Sequence, residues 1–213
     1  MGDRQRIDPF VLALLAACAI VLVWSGVRPH DRFTWVLEVA PAVIAAAILI
    51  PTYRRFPLSR LLYGLIAIHA VILMVGGKYT YAQVPLGFWM QEWFGFTRNH
   101  YDRIGHFAQG FVPAIAAREI LVRVPRLKRG GWLNFIVFCI CLAVSAFYEL
   151  LEWTAAEVSG TAAEAFLGTQ GDVWDTQKDM LMASIGAICA LALFSRWHDR
   201  SMAKVGEPRT SDE

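Results

Sequence analysis

Six long apolar runs, set apart by short polar breaks, decide what this chain can become. A helix that crosses the hydrocarbon of a bilayer needs about 20 mostly apolar residues, with roughly 17–25 as the working range. Pro9 to Val27, Phe33 to Ile50, Leu61 to Val75, Ile104 to Val122, Trp132 to Trp153 and Asp179 to Phe194 come near that length. The third and sixth are short and borrow flanking residues such as Arg60 and Gln177, whose polar heads reach an interface while their stems stay in the apolar zone. Backbone polar groups surrounded by lipid must be satisfied inside their own segment, so the runs predict helices. The expected fold is all-α, a polytopic transmembrane bundle of about six spans. Residues 1–200 make a single integral membrane domain, and the polar stretch 201–213 reads as a disordered cytoplasmic tail.

Composition supports this reading. The chain is 56% hydrophobic with a mean hydropathy of +0.43, above the roughly 45–50% apolar content of soluble domains. Pro51, Pro57, Pro125, Gly76-Gly77 and Gly130-Gly131 punctuate the breaks. The tryptophans, at 24, 35, 89, 93, 132, 153, 174 and 197, fall at segment ends or in loops, where amphipathic rings form interfacial belts. The expected partner is the lipid bilayer. Lys and Arg sit in small clusters between apolar runs instead of along one face, which excludes nucleic-acid binding.

Cys18, Cys139, Cys141 and Cys189 all lie within apolar segments, where a thiol packs as a small hydrophobe, and no disulfide framework or zinc ribbon follows. Leu15-Ala16-Ala17-Cys18 has the shape of a lipoprotein cleavage box, but the run continues apolar through Trp24 and reads as an uncleaved helix.

Orientation follows from the 20 Lys and Arg residues, because positive residues flanking short loops stay cytoplasmic. With the N-terminus inside, Arg28, Arg32, Lys78, Arg98, Arg103 and Lys178 fall outside and all the others inside. Both termini are therefore expected in the cytoplasm. The two long loops, 76–103 and 154–178, are expected on the outer face.

Ionisable residues within or at the ends of spanning helices are costly and ask for a partner or a role. Three stretches hold nearly all of them. At the start of the fourth run, Tyr101-Asp102-Arg103-Ile104-Gly105-His106-Phe107 leads on to Gln109. Spacings of four and three place Asp102, His106 and Gln109 on one helical face, where a carboxylate beside an imidazole suits a general base or a metal ligand. At the end of the fifth run, Glu149 and Glu152 share a face and suit a cation or a shared proton. Ahead of the sixth, Asp172, Asp175 and Asp179 line one side of Gly171-Asp172-Val173-Trp174-Asp175-Thr176-Gln177-Lys178-Asp179-Met180. The inferred topology brings all three stretches to the same face, with Gly105, Gly110, Ala183, Gly186 and Ala187 small enough for close helix approach. Glu38, in the second run, stands alone and reads as an interfacial or interhelical hydrogen-bonding residue.

The set Tyr101 to Phe107, then Glu149 and Glu152, then Asp175-Thr176-Gln177-Lys178-Asp179-Met180 resembles the YjdF-like family of bacterial inner-membrane proteins over nearly the whole chain. More distantly it resembles the VanZ-like group, which carries an Asp-Lys-x-x-His-Phe-type motif, a helical Glu and a late Asp before a Gly-rich helix. The resemblance implies a multi-pass inner-membrane location and the motif positions Asp102, His106, Glu149, Glu152, Asp175 and Asp179. Arg103 stands where the VanZ-like motif has Lys, and the Gln usual after the helical Glu has no counterpart. VanZ-like proteins are associated with glycopeptide-antibiotic resistance, but the resemblance brings no reaction with it.

Three functional readings follow. One is a metal-dependent enzyme on a lipid-linked or envelope substrate, with His106, Asp102 and Glu149 as catalytic candidates. Tyr101, Gln109, Trp174 and Gln177 would bind substrate, and Glu149, Glu152, Asp172, Asp175 and Asp179 would hold a metal. Its oxygen-rich donors favour Mg²⁺ or Mn²⁺ over Zn²⁺. The second is binding or transport of a cation, a proton or a ligand, and the third is a purely structural polar network. No Gly-x-Ser-x-Gly, His-Glu-x-x-His or Walker string names a reaction, and the Glu-Glu pair of intramembrane CAAX-type proteases is absent.

Overall fold

The computed structural model describes residues 7–159 and 169–205. They fold into α1 (Pro9–Gly26), α2 (Arg32–Thr52), α3 (Arg60–Tyr79), α4 (Pro85–Phe94), α5 (Tyr101–Arg123), α6 (Gly131–Ser159), α7 (Asp175–Cys189) and α8 (Ser195–Met202), the last two joined by a π-helical turn at Ala190–Phe194. No strand occurs among the described residues. Polar side chains start several helices by accepting otherwise unsatisfied N–H groups: Asp8 from Phe10, Asp31 from Thr34 and Ser59 from Leu62. The Thr34 N–H holds the Asp31 carboxyl below the usual carboxylate range.

Five helical stretches are long and apolar enough to cross a membrane: α1, α2, α3, α6 and the continuous stretch from α7 through α8. In α1 only Ser25 is buried, and a helix apolar all round and unburied by protein belongs in lipid. The expected fourth span, α5, is different. At 23 residues it is about 35 Å long, enough to cross, but Asp102, Arg103, Arg118, Glu119 and Arg123 make it too polar to face hydrocarbon. It packs against α3, α6 and α7 instead, and protein covers His106, Arg118 and Glu119.

The described ends of the chain meet at one end of the bundle. Arg60 at the start of α3 pairs with Asp8 at 2.6 Å, and the Leu61 N–H donates to the Ser201 hydroxyl at 3.2 Å. We call this the terminal end. The opposite, site end holds the starts of α2, α5 and α7. α5 runs between the same two ends, from Asp102 at the site end to Glu119 and Arg123 at the terminal end.

Between the ends, α3, α5, α6 and α7 enclose a dry core of Leu62, Ala114, Ile115, Leu133, Val137 and Ala187. The small residues anticipated at helix contacts act where α5 meets α7. A methyl added at Gly110 would lie 1.7 Å from the Ala183 carbonyl oxygen, and one at Gly186 would lie 2.1 Å from that of Phe107. Only glycine lets the two backbones meet this closely.

Several boundaries differ from the sequence reading. Gly76 and Gly77 do not break the third run; they lie inside α3, Gly76 against the Tyr81 ring and Gly77 against α2 at Trp35 and Glu38. The 76–103 loop contains α4, and α6 runs on through Ser159. Ser201 and Met202 complete α8, where Met202 is buried; residues 206–213 of the expected tail lie outside the described residues. Seven of the eight tryptophans are exposed, in keeping with a belt at the lipid surface, and Trp35 donates to Ser25.

The terminal end carries a buried polar network that the sequence reading did not anticipate. Glu119, fully buried, accepts from the Ser59 N–H at 2.8 Å, from Arg123 at 2.7 Å and from His198 at 2.9 Å. Arg118 contacts His198 and pairs with Asp199. The network ties α8 and the start of α3 to the end of α5. Glu119→Ala strands these donors, and the expected loss is about 3–5 kcal/mol in detergent unfolding. A loss under about 1 kcal/mol, the worth of a solvated pair, would contradict the buried network.

Candidate functional site

The site end gathers the three polar stretches. Asp102 and His106, one turn apart on α5, meet with Asp102 Oδ1 3.3 Å from His106 Nε2. Asp179 of α7 brings Oδ1 to 3.7 Å from the same nitrogen. Gln109 Oε1 lies 3.0 Å from the other ring nitrogen, Nδ1. An amide oxygen only accepts, so Nδ1 carries the proton and Nε2 is left facing the two carboxylates. Glu149 of α6 approaches the Nδ1 side at 3.6 Å; its Oε1 is buried without a hydrogen-bond partner among the described residues. Carboxylates from three helices therefore surround one buried imidazole.

Two arginines organise the acidic residues of α7. Arg103 pairs with both Asp175 and Asp179 and stands 3.6 Å from Asp172. Arg98, in the loop before α5, donates to Asp175 at 2.8 Å and to the Thr169 carbonyl at 2.8 Å. Asp172 also takes Lys178 at 2.6 Å, and that ammonium holds its carboxyl below the usual range. The 172–179 stretch is thereby clamped onto α5.

Asp102, His106, Gln109 and Glu152 line a partly open cavity of about 180 Å³, whose other walls include Glu38 of α2, His69 of α3 and Tyr81. The sequence candidates thus divide. Asp102, Glu149 and Asp179 converge on the His106 imidazole, and Gln109 and Glu152 line the cavity with Asp102 and His106. Asp172 and Asp175 belong to the arginine clamp. Tyr101 turns away, its hydroxyl donating to the Ile72 carbonyl at 3.1 Å, and Trp174 and Gln177 are exposed.

The structure also adds residues that sequence reasoning passed over. Glu38, which looked isolated, is buried at the cavity, with the Tyr148 hydroxyl 3.4 Å away. His69 is a single imidazole within an apolar run, and that cost alone is a signal for it. Arg98 and Arg103 had been weighed only as topological charge and as a motif difference.

Among the described residues, Asp102, His106 and Asp179 each offer a ligand atom, all three atoms within 4.8 Å of one another, a grouping that could hold a metal ion. A family profile described as "Predicted membrane protein (DUF2238)" matches residues 10–200, taking in every helix from α2 through α7 and all of this site. The chain belongs to that family. It is also 49% identical over 203 residues to inner membrane protein YjdF of Escherichia coli (strain K12), covering 95% of this chain and 97% of the relative. No solved structure matches the chain. With its apolar helices and this family, the protein is an integral protein of the inner membrane.

Proposed function

We propose that the site end binds a divalent metal ion, with His106 Nε2 and the carboxylates of Asp102 and Asp179 as its protein ligands. The observation that carries the reading is the division of labour on His106. Nδ1 is held by Gln109 with Glu149 behind it, while Nε2 faces two carboxylates. A metal-binding histidine is oriented in this way, one nitrogen fixed by an acceptor and the other turned to the ion. A predominantly oxygen donor set favours Mg²⁺ or Mn²⁺. Charge supports it as well: seven carboxylates (Glu38, Asp102, Glu149, Glu152, Asp172, Asp175 and Asp179) face three permanent cations, Arg98, Arg103 and Lys178.

The cavity favours a small occupant. Its volume of about 180 Å³ is below the roughly 300–1,000 Å³ of sites for drug-sized molecules, so an ion suits it better than a lipid-linked substrate. The distribution of Lys and Arg supports a periplasmic position for the site.

Equilibrium dialysis of the purified full chain against Mn²⁺ tests the reading. The expected result is one Mn²⁺ per chain, with His106→Ala losing it and Glu149→Ala weakening it by about 10–100-fold. Wild-type protein that retains no Mn²⁺ at millimolar concentration overturns the proposal and favours a structural polar network.

A further inference from the structure

The cavity runs deeper than the Asp102–His106 pair. Its lining includes Pro41 of α2, His69 of α3 and Pro113 of α5. Counted from the site end, Pro41 is nine residues into α2, His69 ten residues from the end of α3 and Pro113 twelve residues into α5. At 1.5 Å per residue these are depths of about 14, 15 and 18 Å, near the middle of a hydrocarbon core about 30 Å thick.

This depth holds a second set of ion ligands. A proline has no N–H, so the carbonyl four residues before it loses its regular helical donor. Those carbonyls belong to Leu37 and Gln109. Gln109 lines the cavity itself, and Leu37 stands one turn before the lining residue Pro41 on α2. His69 also lines the cavity, and its Nε2 is buried with no hydrogen-bond partner among the described residues. Glu38, 3% exposed, stands about 9 Å down, between the two levels. α2 and α5 stay continuous through these prolines, and backbone carbonyls left free near the bilayer midplane are groups with which membrane transporters hold ions.

We propose that His69, Glu38 and the carbonyls of Leu37 and Gln109 form a second, deeper cation position, so that the cavity is the entry half of a path for the metal ion across the membrane. The inference rests on the metal-binding reading and adds transport to it. Beyond this position Leu62, Ile115, Leu133 and Val137 seal the path, and the Glu119–His198 network lies past them. The structure is the state closed toward the terminal end.

The test uses the full chain in phospholipid vesicles loaded with a Mn²⁺-quenched dye, alongside Mn²⁺ binding in detergent. Wild-type vesicles are expected to take up Mn²⁺. His69→Gln, and separately Pro113→Ala, which returns a donor to the Gln109 carbonyl, are expected to slow uptake about tenfold while the Asp102–His106–Asp179 position still binds Mn²⁺. The proline variant keeps the test open should the histidine variant fail to fold. Binding without uptake in wild type, or undiminished uptake in both variants, overturns the deeper position and leaves the metal-binding reading standing. Neither binding nor uptake in wild type removes both.

Discussion

Arg103→Ala is expected to destabilise the protein by about 3–5 kcal/mol, among the largest losses any single side chain here can give. The guanidinium serves Asp175 and Asp179 together, both buried, and removing it takes that partner from Asp179 and leaves Asp175 to Arg98. The cost comes from what remains, so it can be reversed. Arg103→Met combined with Asp179→Asn removes the arginine together with the carboxylate that loses it, while Asp175 keeps Arg98, and stability should return to within about 1–2 kcal/mol of wild type. Unfolding in detergent, followed by circular dichroism, reads both results. An Arg103→Ala protein as stable as wild type would mean that water already solvates these carboxylates.

Gly186→Val should be as damaging, by another route. The added carbons meet the Phe107 carbonyl and the Phe111 N–H, backbone atoms that cannot swing aside. Overpacking usually costs about 1–3 kcal/mol, and a backbone obstacle puts this case at the upper end or beyond. The damage should reach the site. Asp179 lies seven residues earlier on α7, so pushing α7 off α5 draws it away from both His106 and Arg103. The expected outcome is a lowered melting temperature together with loss of Mn²⁺ binding. Gly131→Ala is the control: the space there is open, and its effect should stay within about 0.5 kcal/mol. A Gly186→Val protein that melts like wild type would contradict the α5–α7 contact.

What was legible in the sequence was whatever the bilayer enforces. Apolar runs of spanning length had to become helices, and α1 and α2 lie almost where the runs do. The expected fourth span is a helix long enough to reach across at 23 residues, but it is not among the five that are apolar enough to cross, and packing is what shelters Asp102, Arg118 and Glu119. Boundaries shifted wherever a residue's usual local meaning was overruled by a contact, as with Gly76 and Gly77, packed inside α3.

The site was half legible for a similar reason. Spacing along one helix placed Asp102, His106 and Gln109 on a common face, and the structure keeps them there. Spacing along a chain says nothing about which face of α2 or α3 turns inward, so Glu38 looked solitary and His69 drew no comment. Arg103 shows the same limit. Its charge was visible, but its role as a bridge from α5 to α7 depends on Gly110 and Gly186 bringing those helices together. Tyr101, Trp174 and Gln177 lie beside the motif residues in sequence, yet helical rotation turns them elsewhere.

The most direct test of the account is pulsed electron paramagnetic resonance of Mn²⁺ bound to the purified chain. For the first Mn²⁺ bound per chain, the account predicts coupling to one imidazole nitrogen, a signal that His106→Gln removes. A spectrum without nitrogen coupling, or one that His106→Gln leaves unchanged, would contradict the claim that Asp102, His106 and Asp179 together hold an ion.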